Sequence, residues 1–141
     1  MCVHNSPTAL ETVQTAGWLV CGITFIVSAF LPWWGVSLVI PPYLTWAEAV
    51  IGTLLTVGSL LGLQAARPRQ HISQQWMLDE VGMWLAAGGW GVYAVCSGVY
   101  GHMALTHMLI SLLQAILACV RIGAIRKHRA YTEAAISRMK G

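Results

Sequence analysis

Between Thr12 and Ala47 the chain contains no Asp, Glu, Lys or Arg, and the same is true from Ala49 to Ala66 and from Val81 to Val120. A helix that crosses about 30 Å of hydrocarbon needs about 20 largely apolar residues. These runs accommodate four such helices, placed near 12–31, 46–65, 79–98 and 104–122. The break inside the longest run falls at Ser97-Gly-Val-Tyr-Gly-His102, where two glycines and a histidine interrupt the apolar pattern. Charged residues make up 9% of the chain against 57% hydrophobic ones, whereas a water-soluble domain carries about 25% charged residues. The expected fold class is all-α: an integral membrane protein with a four-helix domain over 1–122 and a basic tail over 123–141.

Basic residues flanking a span are retained on the cytoplasmic side. Arg67 and Arg69 fall between the second and third helices, and the other six of the eight basic residues lie from Arg121 onward, including Arg126, Lys127 and Arg129. With four spans all of them share one side, which gives an N-in, C-in orientation in a bacterial inner membrane. The first external connection is then FLPWWGVSLVIPPYLTW. Pro32 ends the first helix and Pro41-Pro42 delays the second. Trp33, Trp34, Tyr43 and Trp46 suit the membrane interface, which accommodates both an apolar ring and its polar edge. Trp33 to Ile40, too short to span and too apolar for a solvated loop, is expected to lie in the headgroup region or to re-enter the bilayer. The N-terminus MCVHNSPTALETV has no basic region of the kind that opens a cleavable signal peptide.

Glu48 is the one acid close to an apolar run, and a carboxylate in a membrane span is by default a candidate for proton or cation coupling. Thr45-Trp-Ala-Glu48 also reads as a capping box, the reading the sequence favours. Asp79 and Glu80 are expected to open the third helix, complement its dipole and pair with Arg67 or Arg69. Cys2, Cys21, Cys96 and Cys119 show neither metal-ligand nor redox spacing. His102 and His107 are five positions apart, which turns their side chains about 140° from each other on a helix, so they are read as interfacial polar residues rather than a shared ligand pair. No metal, cofactor or catalytic residue is expected.

Gly58-Ser-Leu-Leu-Gly62 and Ala87-Gly-Gly-Trp-Gly91 bring small residues to helix faces, and in lipid such faces let backbones approach closely. The second and third helices should therefore pack tightly, within the chain or between copies. Trp18-Leu-Val-Cys-Gly22 resembles Trp84-Leu-Ala-Ala-Gly88, the pattern of two related hairpins. The tail continues helically with Ile122, Ile125, Ile136 and Met139 in register, and its basic residues should attract anionic lipid rather than nucleic acid.

Four uncharged runs, small-residue contacts at Gly58, Gly62, Ala87 and Gly91, and the tail Arg126-Lys-His-Arg129 together resemble the small polytopic membrane proteins of bacteriophages of high-GC hosts, and more loosely the phage holins. That resemblance implies a non-enzymatic protein that oligomerises and permeabilises the inner membrane. The alternatives are an accessory protein of a larger membrane complex or of the host envelope, docking through Trp33 to Trp46, and a small four-helix transporter coupled through Glu48.

Overall fold

The computed structural model describes residues 9–31, 45–67, 71–100 and 105–140. Trp33, Trp34, Tyr43, Arg69, His102, Cys2 and the prolines of the first connection lie outside these residues, and so does the Trp33 to Ile40 segment. Four helices make up the fold: α1 Ala9–Phe30, α2 Thr45–Ala65, α3 Ile72–Tyr100 and α4 Leu105–Lys140. Three stretches, Ala9–Phe30, Thr45–Ala65 and Leu105–Met139, are long and apolar enough to cross a membrane. In α3, Gln74, Gln75, Asp79, Glu80 and repeated glycines dilute the apolar content.

Each helix runs antiparallel to its chain neighbour. An added Cβ at Gly22 on α1 would meet Thr56 and Gly52 of α2, while one at Gly62 near the other end of α2 would meet Thr15 of α1. Gly58 and Gly82 pair across α2 and α3, and Gly89 further along α3 faces Leu55 and Ile51. Gly98 faces Met108 at one end of the α3–α4 pair, and Asp79 faces Arg121 at the other. The close contacts follow chain order: α1 with α2, α2 with α3 and α3 with α4.

Glycine makes the first two seams possible. A Cβ on Gly58 would lie 2.6 Å from the carbonyl oxygen of Gly82, and one on Gly82 would lie 2.6 Å from that of Gly58. Gly52 and Gly22 oppose each other in the same way at 2.8 and 3.0 Å. Without apolar transfer to drive association in lipid, this close packing of backbones supplies the attraction. The expected tight contact between the second and third helices is therefore present within the chain. Ile51, Leu55, Met83, Ala86 and Ala118 are fully enclosed between the helices. The outer surface carries Val20, Ile23, Val95, Leu113, Ile116 and Val120, all largely exposed, a distribution suited to hydrocarbon surroundings rather than to water.

The start of the third helix differs from the sequence expectation. The third helix begins at Ile72, with the His71 carbonyl accepting the amides of Gln74 and Gln75, and the Gln75 side chain donates to the Arg67 carbonyl at 2.9 Å. Asp79 and Glu80 thus lie two turns inside α3 rather than at its start. The fourth helix continues unbroken through the tail to Lys140.

Candidate functional site

The bundle has two chemically distinct ends. The basic end lies where α1 and α3 begin and α4 passes Arg121; the far end lies towards the α1–α2 and α3–α4 connections.

At the basic end, side chains join α1 to α4. The Gln114 side-chain oxygen accepts the indole N–H of Trp18 at 2.9 Å and the amide of Gln14 at 3.3 Å. One turn of α1 away, Thr15 donates its hydroxyl proton to the Glu11 carbonyl at 2.8 Å and is approached by Arg121 Nη1 at 3.5 Å. Arg121 Nη2 donates to both carboxylate oxygens of Asp79, at 3.0 and 3.2 Å, with the two side chains only 14% and 18% exposed. Glu11 stands within electrostatic reach of Asp79 as well. One guanidinium therefore ties α4 to α3 and α1 together.

Further out, Arg126 binds Glu80 at 2.6 Å and covers the Trp84 ring at 5.8 Å from its centroid. Asp79 and Glu80 were expected to meet Arg67 or Arg69. They meet Arg121 and Arg126 because the earlier start of α3 carries both acids up alongside α4. Beyond them the tail is locally paired: Arg129 with Glu133 at 2.9 Å, and Lys127 over the Tyr131 ring at 5.9 Å.

Towards the far end, α1, α3 and α4 part to leave a cleft of about 330 Å³. Its walls include Phe25 of α1, Trp90 and Tyr93 of α3, and His107 and Ser111 of α4. The rings fix one another: Phe25 and Tyr93 meet edge to face with centroids 5.0 Å apart, and Trp90 meets Tyr93 at 6.4 Å. Thr24 and Ser111 give their hydroxyl protons to the carbonyls of Val20 and His107 one turn back, at 2.8 and 2.6 Å. The buried indole N–H of Trp90 has no hydrogen-bond partner among the described residues.

Glu48 belongs to this end too. Thr45 is the first helical residue of α2, and the Glu48 side chain is 5% exposed, enclosed in the bundle with its charge in reach of Tyr93. Trp46 beside it is exposed, as an interfacial anchor would be. Sequence spacing did not reveal the aromatic cleft, because Phe25, Trp90 and Tyr93 come from two helices that are not chain neighbours.

The small-residue positions separate into two classes. Gly58 and Gly62 are spent inside the bundle, against Gly82 and against Met83 and Thr15. Ala87 is half-buried, and Gly88 and Gly91 have open space where a Cβ would be. Trp18 is buried against Gln114 while Trp84 is half-exposed, and Gly22 is tightly packed while Gly88 is open, so the two similar Trp-to-Gly segments occupy unlike surroundings. Cys21 and Cys96 pack as partly buried apolar groups and Cys119 faces outward; all three are free thiols. Among the described residues no cluster of His, Cys, Asp or Glu could hold a metal ion.

No family model matches the chain, and no curated protein or solved structure matches it either.

Proposed function

We propose that the protein is a holin-like, non-enzymatic membrane protein that accumulates in a bacterial inner membrane, self-associates and permeabilises it. The observation that carries this reading is the open notch on α3. Gly88 and Gly91 project nothing beyond their backbone, with half-buried Ala87 beside them, while Trp84 and Val95 frame them on the same exposed face. In lipid such a notch lets a second helix come close. Self-association is thereby assigned to Ala87, Gly88 and Gly91 rather than to Gly58 and Gly62, which are already occupied.

All four helices cross the bilayer in this reading, N-in and C-in, with the basic tail in the cytoplasm. Because α3 lies antiparallel between α2 and α4, two helices long and apolar enough to span, it crosses with them; Val81 to Tyr100 gives about 30 Å of uncharged helix. The gathering of Arg67, Arg126, Lys127 and Arg129 at one end supports this orientation through the positive-inside rule, and in it these groups would meet anionic lipid.

The test is membrane potential, followed with a voltage-sensitive dye during tightly induced expression. Abrupt depolarisation after a lag, lost in a Gly88→Ile, Gly91→Ile variant of equal abundance, is the expected result. Unchanged timing in that variant removes the proposed face. A steady potential in cells making the original chain removes permeabilisation and leaves an accessory role in a larger complex.

A second reading draws on one observation, the burial of Glu48 in the first turn of α2. It is a small four-helix transporter with Glu48 as its coupling carboxylate. Unaltered uptake or resistance in Glu48→Gln would end it.

A further inference from the structure

Ala118, Ile122 and Ile125 bury one side of α4 in the bundle, and Thr132, Ile136 and Met139 continue that side at steps of three and four residues. Such spacing keeps side chains in one stripe. From Arg126 to Met139, however, no side chain is buried and only Thr132 is half-buried. Ile136 is 44% and Met139 80% exposed. Thr132 gives its hydroxyl proton to the His128 carbonyl at 3.0 Å, which leaves its methyl as the group it offers to a neighbour.

With α4 crossing the bilayer, as the proposed function has it, Leu105 to Ile125 fills about 30 Å of hydrocarbon. Headgroups add about 5–8 Å on that side. Because α4 is unbroken to Lys140, Arg138 and Met139 stand about 18–20 Å past Arg126, and a tilt of about 20° shortens that by only about 1 Å. The field of an anionic lipid surface fades within about 8 Å. Arg126 to Arg129 lie at the headgroups, whereas Ile136 and Met139 are held out in water.

Charge narrows what can cover them. Between Arg126 and Met139 there are four Lys or Arg residues and one acid, Glu133. At about 100° per residue, Tyr131, Thr132, Ala135, Ile136 and Met139 fill one face, with Arg129 and Arg138 at about 90° to either side of its centre. Glu133 pairs with Arg129 in an exposed contact, which competes weakly with a partner's carboxylate. A second copy of the tail would set arginine against arginine. A nucleic acid would use the charges and leave the apolar face in water. An apolar groove edged with carboxylates satisfies both features, as in the docking of an amphipathic helix.

We infer that the outer part of α4, Tyr131 to Met139, is a docking helix for a soluble protein that presents an acid-rimmed apolar groove, with Ile136 and Met139 in the groove and Arg129 and Arg138 at its rim.

The test is fluorescence anisotropy with the full chain in phosphatidylcholine nanodiscs. The probe is a labelled peptide of about 20 residues with leucine at i, i+3, i+4 and i+7 and glutamate elsewhere, and empty nanodiscs are the reference. Saturable binding is expected, also when phosphatidylglycerol is added to the discs. Ile136→Ser with Met139→Ser should weaken it at least tenfold, Arg129→Gln with Arg138→Gln about fivefold, and Ala130→Ser on the opposite face not at all. Polyglutamate, which has the charge without the apolar strip, should compete at least tenfold more weakly. No binding overturns the inference, as do binding untouched by the paired serines and equal competition by polyglutamate. Binding lost on adding phosphatidylglycerol gives the face to lipid, and tighter binding of a single-stranded oligonucleotide gives it to nucleic acid; either overturns the inference too. Span and docking fail separately: release of the chain from cell membranes by alkaline carbonate removes the span, whereas a retained chain that ignores the peptide removes the docking face alone.

Discussion

Arg121 holds both carboxylate oxygens of Asp79 with one nitrogen, at 3.0 and 3.2 Å, and extends the other towards Thr15 at 3.5 Å. Three helices thus meet at a single guanidinium, and its planar fork is what allows this. Lysine, a compact point charge, can satisfy the carboxylate but not both directions.

Removing one partner of a largely buried ion pair leaves the other charge uncompensated. Asp79→Ala should cost about 2–3 kcal/mol, at or below the lower bound for fully buried pairs because some solvent reaches this one. Arg121→Lys should cost less, and the Asp79→Ala, Arg121→Met double variant less than the sum of its single changes. Chemical unfolding in mixed micelles checks this, with strict additivity as the result that contradicts it.

The pair formed by Arg126 and Glu80 has similar chemistry but a different weight. Arg126 is 59% exposed, and ion pairs open to solvent contribute about 0–1 kcal/mol. Glu80→Gln should therefore change stability by less than about 1 kcal/mol, and any loss should shrink at high salt.

Glycines on the two faces of α3 should respond oppositely to the same substitution. Gly82→Ala forces a methyl against the Gly58 carbonyl and should destabilise by about 1–3 kcal/mol, the usual cost of overpacking. Gly91→Ala enters open space and should be neutral or stabilising by up to about 1 kcal/mol, since alanine is the better helix former. Thermal unfolding of both variants in one detergent provides the comparison.

Gln114 accepts from both Trp18 and Gln14, and side-chain bonds of this kind close the α1–α4 seam. Gln114→Leu should lower stability by about 1 kcal/mol, in the range measured for interhelical bonds in membranes. Spin labels at Val13 and Val120, both outward-facing, should show a broader distance distribution in that variant, whereas labels on α2 and α3 should not.

Helix number and the α2–α3 contact were legible because both follow from one-dimensional signals: uncharged run length and small-residue spacing. Glu80 and Arg126 lie about equally far from the connection at 101–104, so antiparallel counting could have paired them. The pull of nearby Arg67 and Arg69 on the expectation concealed this. The pattern at Thr45 and Glu48 carried no sign that Glu48 is buried, because a motif of four residues contains nothing about what packs against it. The cleft required the rotation of three helices about their axes, which apolar patterns fix poorly when lipid and core are both apolar and the hydrophobic contrast between faces is small.

From Lys127 to Met139 α4 leaves its neighbours behind, with nearly every side chain exposed, yet it remains one helix with the part that packs on α3. Such a rod is a lever. At about 1.5 Å per residue, the stretch from Arg126 to Lys140 is roughly 20 Å long, so a 10° tilt about the Arg121 fulcrum moves its tip by roughly 5 Å. The tail therefore magnifies small motions of the bundle, and whatever grips its tip can in turn pry at the Asp79 contact.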